Sequence, residues 1–216
     1  LNVEGRSLTA GRLRREIETT LLEYDCEGGD TIVACGDQAV DPHERGHGPL
    51  RARAFIVIDI FPRSRKTGYW GDLTRTWIRD EISPKQRAMY RAVLRAQREA
   101  IEAVRPGVRG STVHAAAADR LKAEGFETFD RGNGPEGFIH GTGHGVGLDI
   151  HEPPRISTAG GKMRRGHVVT VEPGLYYSGL GGVRIEDTIA VGTGGANMLA
   201  RMKKDNPLLR KTVGRS

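Results

Sequence analysis

The sequence predicts an α+β fold made of two similar halves, and three observations lead to this prediction. Segments with the spacing of amphipathic helices alternate with short β-branched runs along the whole chain. A first predicted hairpin carries Asp59 and Asp72, 13 residues apart, and a second carries Glu172 and Glu186, 14 residues apart. The two pairs are offset by 113 to 114 residues, which indicates an internal duplication.

The first half begins with a helix. The apolar residues Leu13, Ile17, Leu21 and Tyr24 recur at spacings of four, four and three, which predicts a helix over 9–24 with this face against the core.

Strands follow this helix. Residues 31–35 and 54–61 are apolar and β-branched, and 69–78 is rich in aromatic and β-branched residues, so we expect 54–61 and 69–78 to pair as a hairpin. The Gly-, Pro- and Asp-rich stretch 36–49 is expected to form a loop.

Two helices are predicted between the hairpins. Ser83 with Gln86 three residues later forms a capping box, and a Pro-Gly pair at 106–107 ends this first helix. Ser111 is the expected N-cap of a shorter alanine-rich helix that ends at Gly125.

The second hairpin is expected from residues 167–173 and 182–191, with the glycine-rich GLYYSGLGG between them as its turn. If the two halves face each other, all four hairpin acids meet at one seam.

Charge and cysteine content restrict the partners and the compartment. The net charge is +6, but residues 201–216 contribute six Lys/Arg against one Asp. We therefore expect a folded domain over 1–200 and a solvated basic C-terminal tail over 201–216, with nucleic-acid or membrane contact as the less favoured alternative. Cys26 and Cys35 are too few for a disulfide framework, and no apolar run reaches the roughly 20 residues that span a bilayer, so a cytoplasmic location is expected.

Acids in apolar strands need a compensating partner. A buried carboxylate costs several kcal/mol unless it is paired or bound to a metal, and Arg75 and Arg184 are candidate ion-pair partners. Four converging carboxylates favour a different solution, a pair of divalent cations. Oxygen ligands with a minority of imidazole suit Mn, Co, Fe or Zn. In hydrolases, two such metal ions bound side by side activate a water molecule.

Three of the seven histidines, His140, His144 and His151, lie in the glycine-rich stretch FIHGTGHGVGLDIHEPP. So many glycines exclude a stable helix, and with it a zinc site built from histidines four apart on a helix. In an extended strand, the even spacing of His140 and His144 predicts that both lie on one face.

Five motifs in order (FIVIDI, GDLTRT, GTGHGVGLDIHEPP, VTVEPGLY and GVRIEDT) resemble those of the pita-bread metallopeptidases: methionine aminopeptidase, aminopeptidase P and prolidase. The resemblance spans about residues 9–191 and implies the pita-bread (creatinase/aminopeptidase) fold. The sequence around HGVGLDIHEPP, with its additional His140, is more similar to prolidase and aminopeptidase P. Xaa-Pro enzymes of this kind have an additional N-terminal domain. We therefore expect that such a domain, preceding Leu1, is missing from this sequence.

The resemblance implies a ligand set for two ions. Asp59 would chelate one ion, Asp72 and Glu186 would bridge both, and His144 and Glu172 would bind the other. Glu172 would also transfer the proton from the attacking water to the leaving amine.

The resemblance implies substrate contacts as well. His140 and His151 match the histidines that line the substrate site, and His43 matches the remaining family histidine, with His47 as a rival. Arg184 resembles the arginine that pairs with the ligand carboxylates.

The implied function is metal-dependent hydrolysis of an N-terminal peptide bond by an Xaa-Pro dipeptidase or Xaa-Pro aminopeptidase. Mn²⁺ or Co²⁺ are the favoured ions, with Fe²⁺ or Zn²⁺ as alternatives. The substrate is a peptide, a homodimer is possible, and membrane or nucleic-acid partners are not expected. Methionine aminopeptidase is the alternative function, and a non-catalytic peptide- or nucleic-acid-binding module is the second alternative. The spacing from Asp59 to Asp72 is about two residues longer than is usual in the family, which predicts an altered pocket rim beside Tyr69 and Trp70.

Overall fold

The computed structural model describes residues 1–130, 132, 134–200 and 202–204; most of the predicted basic tail lies outside the described residues. The elements are, in order, β1 (Asn2–Val3), β2 (Arg6–Ser7), α1 (Ala10–Glu23), β3 (Cys26–Glu27), β4 (Ile32–Cys35), a 3₁₀ helix (Gly36–Val40), β5 (Ile56–Ile60), β6 (Arg63–Ser64), β7 (Leu73–Trp77), α2 (Pro84–Ala103), α3 (Gly110–Ala123), β8 (Phe129–Asp130), β9 (Pro135–Glu136), β10 (Gly143–Gly145), β11 (Glu152–Ile156), β12 (Val168–Val171), β13 (Gly174–Tyr177), β14 (Gly181–Arg184), β15 (Asp187–Val191) and β16 (Ala196–Met198). No helix among these residues is long and apolar enough to cross a membrane.

Two antiparallel sheets repeat the same order of elements. Helix α1 precedes the sheet β4-β5-β7, and helix α3 precedes β10-β12-β15, which is extended by β11 and β16 at its edges. Consecutive pairs in both sheets are antiparallel. This arrangement confirms the predicted α+β fold with two related halves.

Strand β7 joins the two halves by hydrogen bonds to the second hairpin. The Glu186 amide donates to the Thr74 carbonyl (3.1 Å), and the Thr188 hydroxyl donates to the Asp72 carbonyl (2.7 Å). The side chain of Thr76 accepts from the Arg184 amide (3.0 Å). The ligand-bearing ends of both hairpins therefore lie side by side, at the seam that the duplication predicts.

Most of the core lies between the helices α2 and α3 and the larger sheet. Helix α2 starts at the predicted capping box, in which Ser83 and Gln86 each accept a hydrogen bond from the other's backbone amide. Buried residues from the helices and the sheet form one cluster, which includes Met89, Val93 and Ile189. Burial of this apolar surface stabilises the scaffold that carries the seam.

A smaller core lies beneath α1, whose predicted inner face is only partly correct. Leu13 and Ile17 pack against buried Val33 and Leu50. Tyr24 is 77 % exposed, because the helix ends at Glu23 and Tyr24 is its C-cap. The prediction that Tyr24 faces the core was wrong.

The stretch GLYYSGLGG is not a simple turn. Strands β13 and β14 pair with each other there, so the second hairpin is longer and changes direction near Glu172 and Glu186. A Cβ on Gly182 would lie 1.8 Å from the Ala39 carbonyl oxygen, so this glycine permits close packing of two backbones.

Helix α3 also starts differently from the prediction. It begins at Gly110 with Arg109 as N-cap and without a side-chain cap, so Ser111 lies inside the helix. The reason is a close approach: a Cβ on Gly110 would lie 2.2 Å from the Arg155 carbonyl oxygen.

Candidate metal centre

The five predicted ligands sit at corresponding places in the two hairpins and on β10. Asp59 is the fourth residue of β5, and Asp72 immediately precedes β7. Glu172 follows β12, and Glu186 lies between β14 and β15. His144 is the central residue of the short strand β10. The three acids at strand ends are at breaks in the backbone pairing, where a side chain can turn into the seam.

The structure brings these side chains to one cavity of about 440 Å³. Ligand atoms of Asp72, His144 and Glu186 all lie within 4.8 Å of one another, and all three residues are buried. The His144 Nε2 atom is 3.6 Å from Asp72 Oδ2 and 3.3 Å from Glu172 Oε1. Asp59 lines the same cavity. A carboxylate-rich site with one imidazole therefore exists at the seam.

Asp59 is held on one side only. Its Oδ2 atom accepts a hydrogen bond from Arg184 Nη2 (2.7 Å), in an ion pair that is almost fully buried. Its Oδ1 atom is also buried and has no hydrogen-bond partner among the described residues. A buried oxygen without a partner is costly unless a further group binds it.

Burial and mutual repulsion disfavour the ionised forms of the remaining carboxylates. Burial, followed by the charges of Asp59 and Glu172, raises the pKa of Asp72 well above its usual value. Burial, followed by the charges of Asp72, Glu172 and Asp59, does the same to the pKa of Glu186. Burial also raises the pKa of Glu172 to about 7, against the opposing effect of Arg184. Excess negative charge is therefore concentrated at this seam.

His144 is suited to bind a cation. Burial lowers its pKa to about 4, so the ring is neutral at neutral pH. Its Nδ1 atom lies 3.0 Å from the Gly145 carbonyl oxygen, which can only accept a hydrogen bond, so Nδ1 carries the proton. The lone pair on Nε2 faces Asp72 and Glu172. Orientation of a ligand imidazole by a backbone carbonyl is usual at metal sites.

These features fit a divalent metal centre. The oxygens of Asp59, Asp72, Glu172 and Glu186 with one imidazole form a donor set of the kind that Mn, Co, Fe and Zn accept. The partnerless Asp59 Oδ1 and the raised pKa values of the buried acids are each relieved by added positive charge.

His140 lines the cavity but lies outside strand β10, so its predicted place on the same strand face as His144 was wrong. Its Nδ1 atom faces the Gly141 carbonyl (2.7 Å), and its Nε2 atom faces the Tyr176 hydroxyl (2.8 Å). That hydroxyl accepts from Arg184 Nη1 (3.0 Å) and so donates to His140. Burial lowers the pKa of His140 to about 4, in agreement with a neutral ring.

Two further histidines stand at the mouth of the cavity. His43 and His151 both line it and are exposed, and the His151 ring contacts the His144 ring edge-on at 4.3 Å. The rival residue His47 instead contacts Gln38, through its backbone and its ring, and does not line the cavity.

The longer first hairpin loop is ordered by pairing. Its strand β6 pairs with β3, and the Trp70 indole donates to the Leu148 carbonyl (3.2 Å). Of this loop, Phe61 lines the cavity, whereas Tyr69 is 59 % exposed outside it.

Sequence reasoning missed two residues of the site. Tyr176 connects Arg184 to His140, and the only sequence signal was its position after the EPG motif. Arg155, four residues after His151, lines the cavity and has no carboxylate within ion-pair distance among the described residues. The only signal in the sequence was the position of Arg155 directly after the HEPP motif.

The fold and the acidic seam together define a metallopeptidase-type site, and comparison with known proteins identifies the family. A profile of metallopeptidase family M24 matches residues 5–193, and the chain belongs to this family.

Named relatives agree with this assignment. The chain is 35% identical over 207 residues to the Xaa-Pro dipeptidase of Pyrococcus furiosus, covering 92% of this chain and 56% of that protein. The solved prolidase from Pyrococcus furiosus superposes with a TM-score of 0.83 at 34% identity, covering 91% of this chain and 57% of that one. The X-Pro aminopeptidase from Thermotoga maritima superposes with a TM-score of 0.83 at 28% identity, covering 92% and 55%. The predicted pita-bread fold is confirmed, and the chain spans about half the length of the relatives it matches.

Proposed function

We propose that residues 1–200 form the catalytic domain of a dinuclear metal-dependent peptidase that hydrolyses Xaa-Pro dipeptides. The observation that carries this proposal is the convergence of Asp72, His144 and Glu186 within 4.8 Å, in one cavity with Asp59 and Glu172. The names of the relatives, which include Xaa-Pro dipeptidase and prolidase, support the substrate class.

The five predicted ligands would hold two divalent cations, with Mn²⁺ or Co²⁺ favoured over Fe²⁺ or Zn²⁺. Asp59 would bind one ion, His144 and Glu172 the other, and Asp72 and Glu186 both. Bound there, the ions would supply an activated water and electrostatic stabilisation of the developing oxyanion.

Glu172 is the proposed general base and acid. Its carboxylate lines the cavity, with Oε1 3.3 Å from His144 Nε2, so it is placed to take a proton from water and to return it to the leaving amine. The Thr170 hydroxyl donates to Glu172 Oε1 (3.3 Å) and fixes the orientation of the carboxylate.

Three histidines are proposed to contact the substrate. His43 and His151, exposed at the cavity mouth, can donate to the scissile carbonyl and to the tetrahedral intermediate. His140 would contact the substrate through Nε2, which accepts a hydrogen bond from the Tyr176 hydroxyl and could instead accept one from a substrate N–H group. Arg184 would hold Asp59 and Tyr176 in place throughout.

Arg155 favours a dipeptide over a longer substrate. A dipeptide carries its free carboxylate one residue beyond the scissile bond, and an unpaired guanidinium beside the cavity suits that group. We therefore assign the preference for a C-terminal carboxylate to Arg155.

The wider context stays a prediction. We expect the full protein to be cytoplasmic, in keeping with free Cys26 and Cys35, and to act on peptides as a possible homodimer. Nucleic acid is not an expected partner.

A short substrate panel tests the function. Xaa-Pro dipeptides, Xaa-Pro-Xaa tripeptides and Met-Ala-Ser are incubated with the protein and Mn²⁺ or Co²⁺, and released amino acids are measured. We expect cleavage of the dipeptides above all. Preferential cleavage of Met-Ala-Ser would instead indicate a methionine aminopeptidase, and no cleavage with any metal would favour the non-catalytic binding module.

A further inference from the structure

A second buried polar network lies directly behind the candidate metal centre. Its central residue is Arg75 of β7, which is 3 % exposed. Arg75 Nη2 donates to Asp187 Oδ1 (2.7 Å), and Gln97 Nε2 donates to Asp187 Oδ2 (3.0 Å). Asp187 immediately follows Glu186, so this network is covalently attached to a proposed bridging ligand.

Arg75 also binds the backbone on both sides of the seam. Its Nη1 atom donates to the Thr74 carbonyl (2.9 Å) and to the Glu186 carbonyl. The same two residues are joined directly, because the Glu186 amide donates to the Thr74 carbonyl. The Thr74 hydroxyl donates to Glu186 Oε2 (2.7 Å). One guanidinium thus joins strand β7, which begins directly after Asp72, to the segment between β14 and β15 that contains Glu186.

The C-terminal segment Met202–Lys204, here called the latch, closes this network. Arg75 donates to the Met202 carbonyl (2.7 Å) and to the Lys203 carbonyl (3.4 Å). The Lys204 ammonium pairs with Asp187 Oδ2. The Tyr90 hydroxyl of helix α2 donates to the Lys204 carbonyl, which holds the end of the latch against the domain.

These contacts engage all five N–H donors of Arg75. A guanidinium is a planar fork with five donors, whereas a lysine ammonium has three donors around a point charge. A lysine at this position has too few donors to bind Thr74, Glu186, Asp187 and the latch at once.

We propose that Arg75, completed by the latch, is a positioning residue that sets the separation of Asp72 and Glu186 for metal binding. The latch, which lies beyond the sequence motifs and beyond the family match at residue 193, is then a working part of the metal centre. This inference rests on the proposed function, because it requires that the seam binds metal.

The test is metal affinity of the full chain carrying Arg75→Lys. Protein stripped with a chelator is titrated with Co²⁺ by calorimetry, and the visible Co²⁺ spectrum is recorded. We expect the affinity to fall about 10- to 100-fold, as for other residues that orient metal ligands, with a changed spectrum and a retained far-UV circular dichroism spectrum. A merely structural role would lower the melting temperature and leave the Co²⁺ affinity and spectrum as in the unchanged chain.

Arg120→Lys is the matched control, since Arg120 pairs with Glu99 and Glu124 on the outer helices, remote from the seam. It should bind Co²⁺ like the unchanged chain. If the unchanged chain itself binds no Co²⁺, the proposed function fails before the inference is reached.

A second variant tests the latch without altering the Arg75–Asp187 pair. A chain ending at Ala200 lacks the latch, and we expect its Co²⁺ affinity to fall in the same direction. This variant also decides the matter if Arg75→Lys does not fold. Unchanged Co²⁺ affinity in the shortened chain would overturn the role of the latch, and unchanged affinity in Arg75→Lys would overturn that of Arg75.

Discussion

Arg184 binds one oxygen of Asp59 and leaves the other buried, with no hydrogen-bond partner among the described residues. The Nη2 to Oδ2 distance is 2.7 Å, and Oδ1 has no hydrogen-bond partner in the described part of the chain. A purely structural ion pair would be expected to satisfy both oxygens, since an orphaned buried acceptor costs about 1–3 kcal/mol. The half-satisfied carboxylate therefore distinguishes a binding site from a salt bridge, which was the alternative explanation for acids in these strands.

Replacing Asp72 by Ala should abolish metal binding and activity while the helices persist. The side chain is one of the three that lie within 4.8 Å, and its loss removes a ligand that both ions are proposed to share. Metal content by mass spectrometry, turnover and far-UV circular dichroism provide the measurements, and Glu186→Ala should behave alike. Asp119→Ala, on the exposed face of α3, is the control. An active Asp72→Ala enzyme would refute the bridging role.

Glu172→Gln should lower kcat by about 10²- to 10⁴-fold, because the amide cannot transfer the proton that general acid–base catalysis requires. The substitution keeps the size of the side chain, so the fold and the melting temperature should change little. Steady-state kinetics measure the effect, with Glu16→Gln on the exposed side of α1 as control. Turnover close to that of the unchanged protein would exclude Glu172 as the proton carrier.

The convergence of the candidate ligands could be predicted from the sequence more completely than some of the secondary-structure elements that carry them. The matched spacings of Asp59 to Asp72 and Glu172 to Glu186 follow from a duplicated backbone, so convergence could be inferred without coordinates. Arg75 could be suggested only as an ion-pair partner of a ligand, because its actual acceptors include carbonyls far along the chain.

Two of the errors, at the start of α3 and in the second hairpin, arise from close approaches between distant segments. Glycines 110 and 182 permit contact with carbonyls of distant segments, whereas local rules interpret glycine as a turn and Ser111 as a cap. His140 lines the cavity from irregular backbone. Strand periodicity therefore correctly predicted that His140 and His144 lie close together, but from a strand that does not extend to His140. Such features depend on which segments meet, and local sequence does not specify this.

His43 lines the cavity whereas His47 does not, which allows a direct comparison of the two residues. His43→Ala should lower kcat/KM by about 3- to 10-fold, the effect of losing one hydrogen bond to the substrate. His47→Ala should have no effect, since His47 contacts Gln38 away from the cavity. Equal effects of the two substitutions on kcat/KM would contradict the assignment of His43.

Without metal, the protein should lose stability as the pH rises above about 6.5. Asp72, Glu172 and Glu186 have raised pKa values, so they keep protons in the folded state that the unfolded chain has already released. Unfolding then releases protons. Each proton released lowers the free energy of unfolding by about 1.4 kcal/mol for every unit of rising pH.

The histidines set the lower limit of this range. The pKa of His140 and of His144 is lowered to about 4 from an ordinary 6.5, so between these values rising pH stabilises the fold and offsets the acids. Above about 6.5 the rings are neutral in both states and only the acids contribute. Melting temperatures of chelator-treated protein from pH 6.5 to 8 should fall, and saturating Mn²⁺ should remove the decline. A metal-free melting temperature that stays constant over this range would contradict the proposed repulsion.

Arg155→Met should raise KM for Xaa-Pro dipeptides about 10- to 100-fold, because a charge-assisted hydrogen bond contributes about 1.5–3 kcal/mol. The same variant should treat the corresponding Xaa-prolinamide like the unchanged protein does, since that substrate has no carboxylate for Arg155 to bind. Arg164→Met is the matched control, as Arg164 lies on a neighbouring surface cavity and does not line the metal-centre cavity. Kinetics with both substrates separate the outcomes. An equal loss with acid and amide would mean that Arg155 supports the site in general, and no loss with either would remove the structural argument for a dipeptidase over an aminopeptidase.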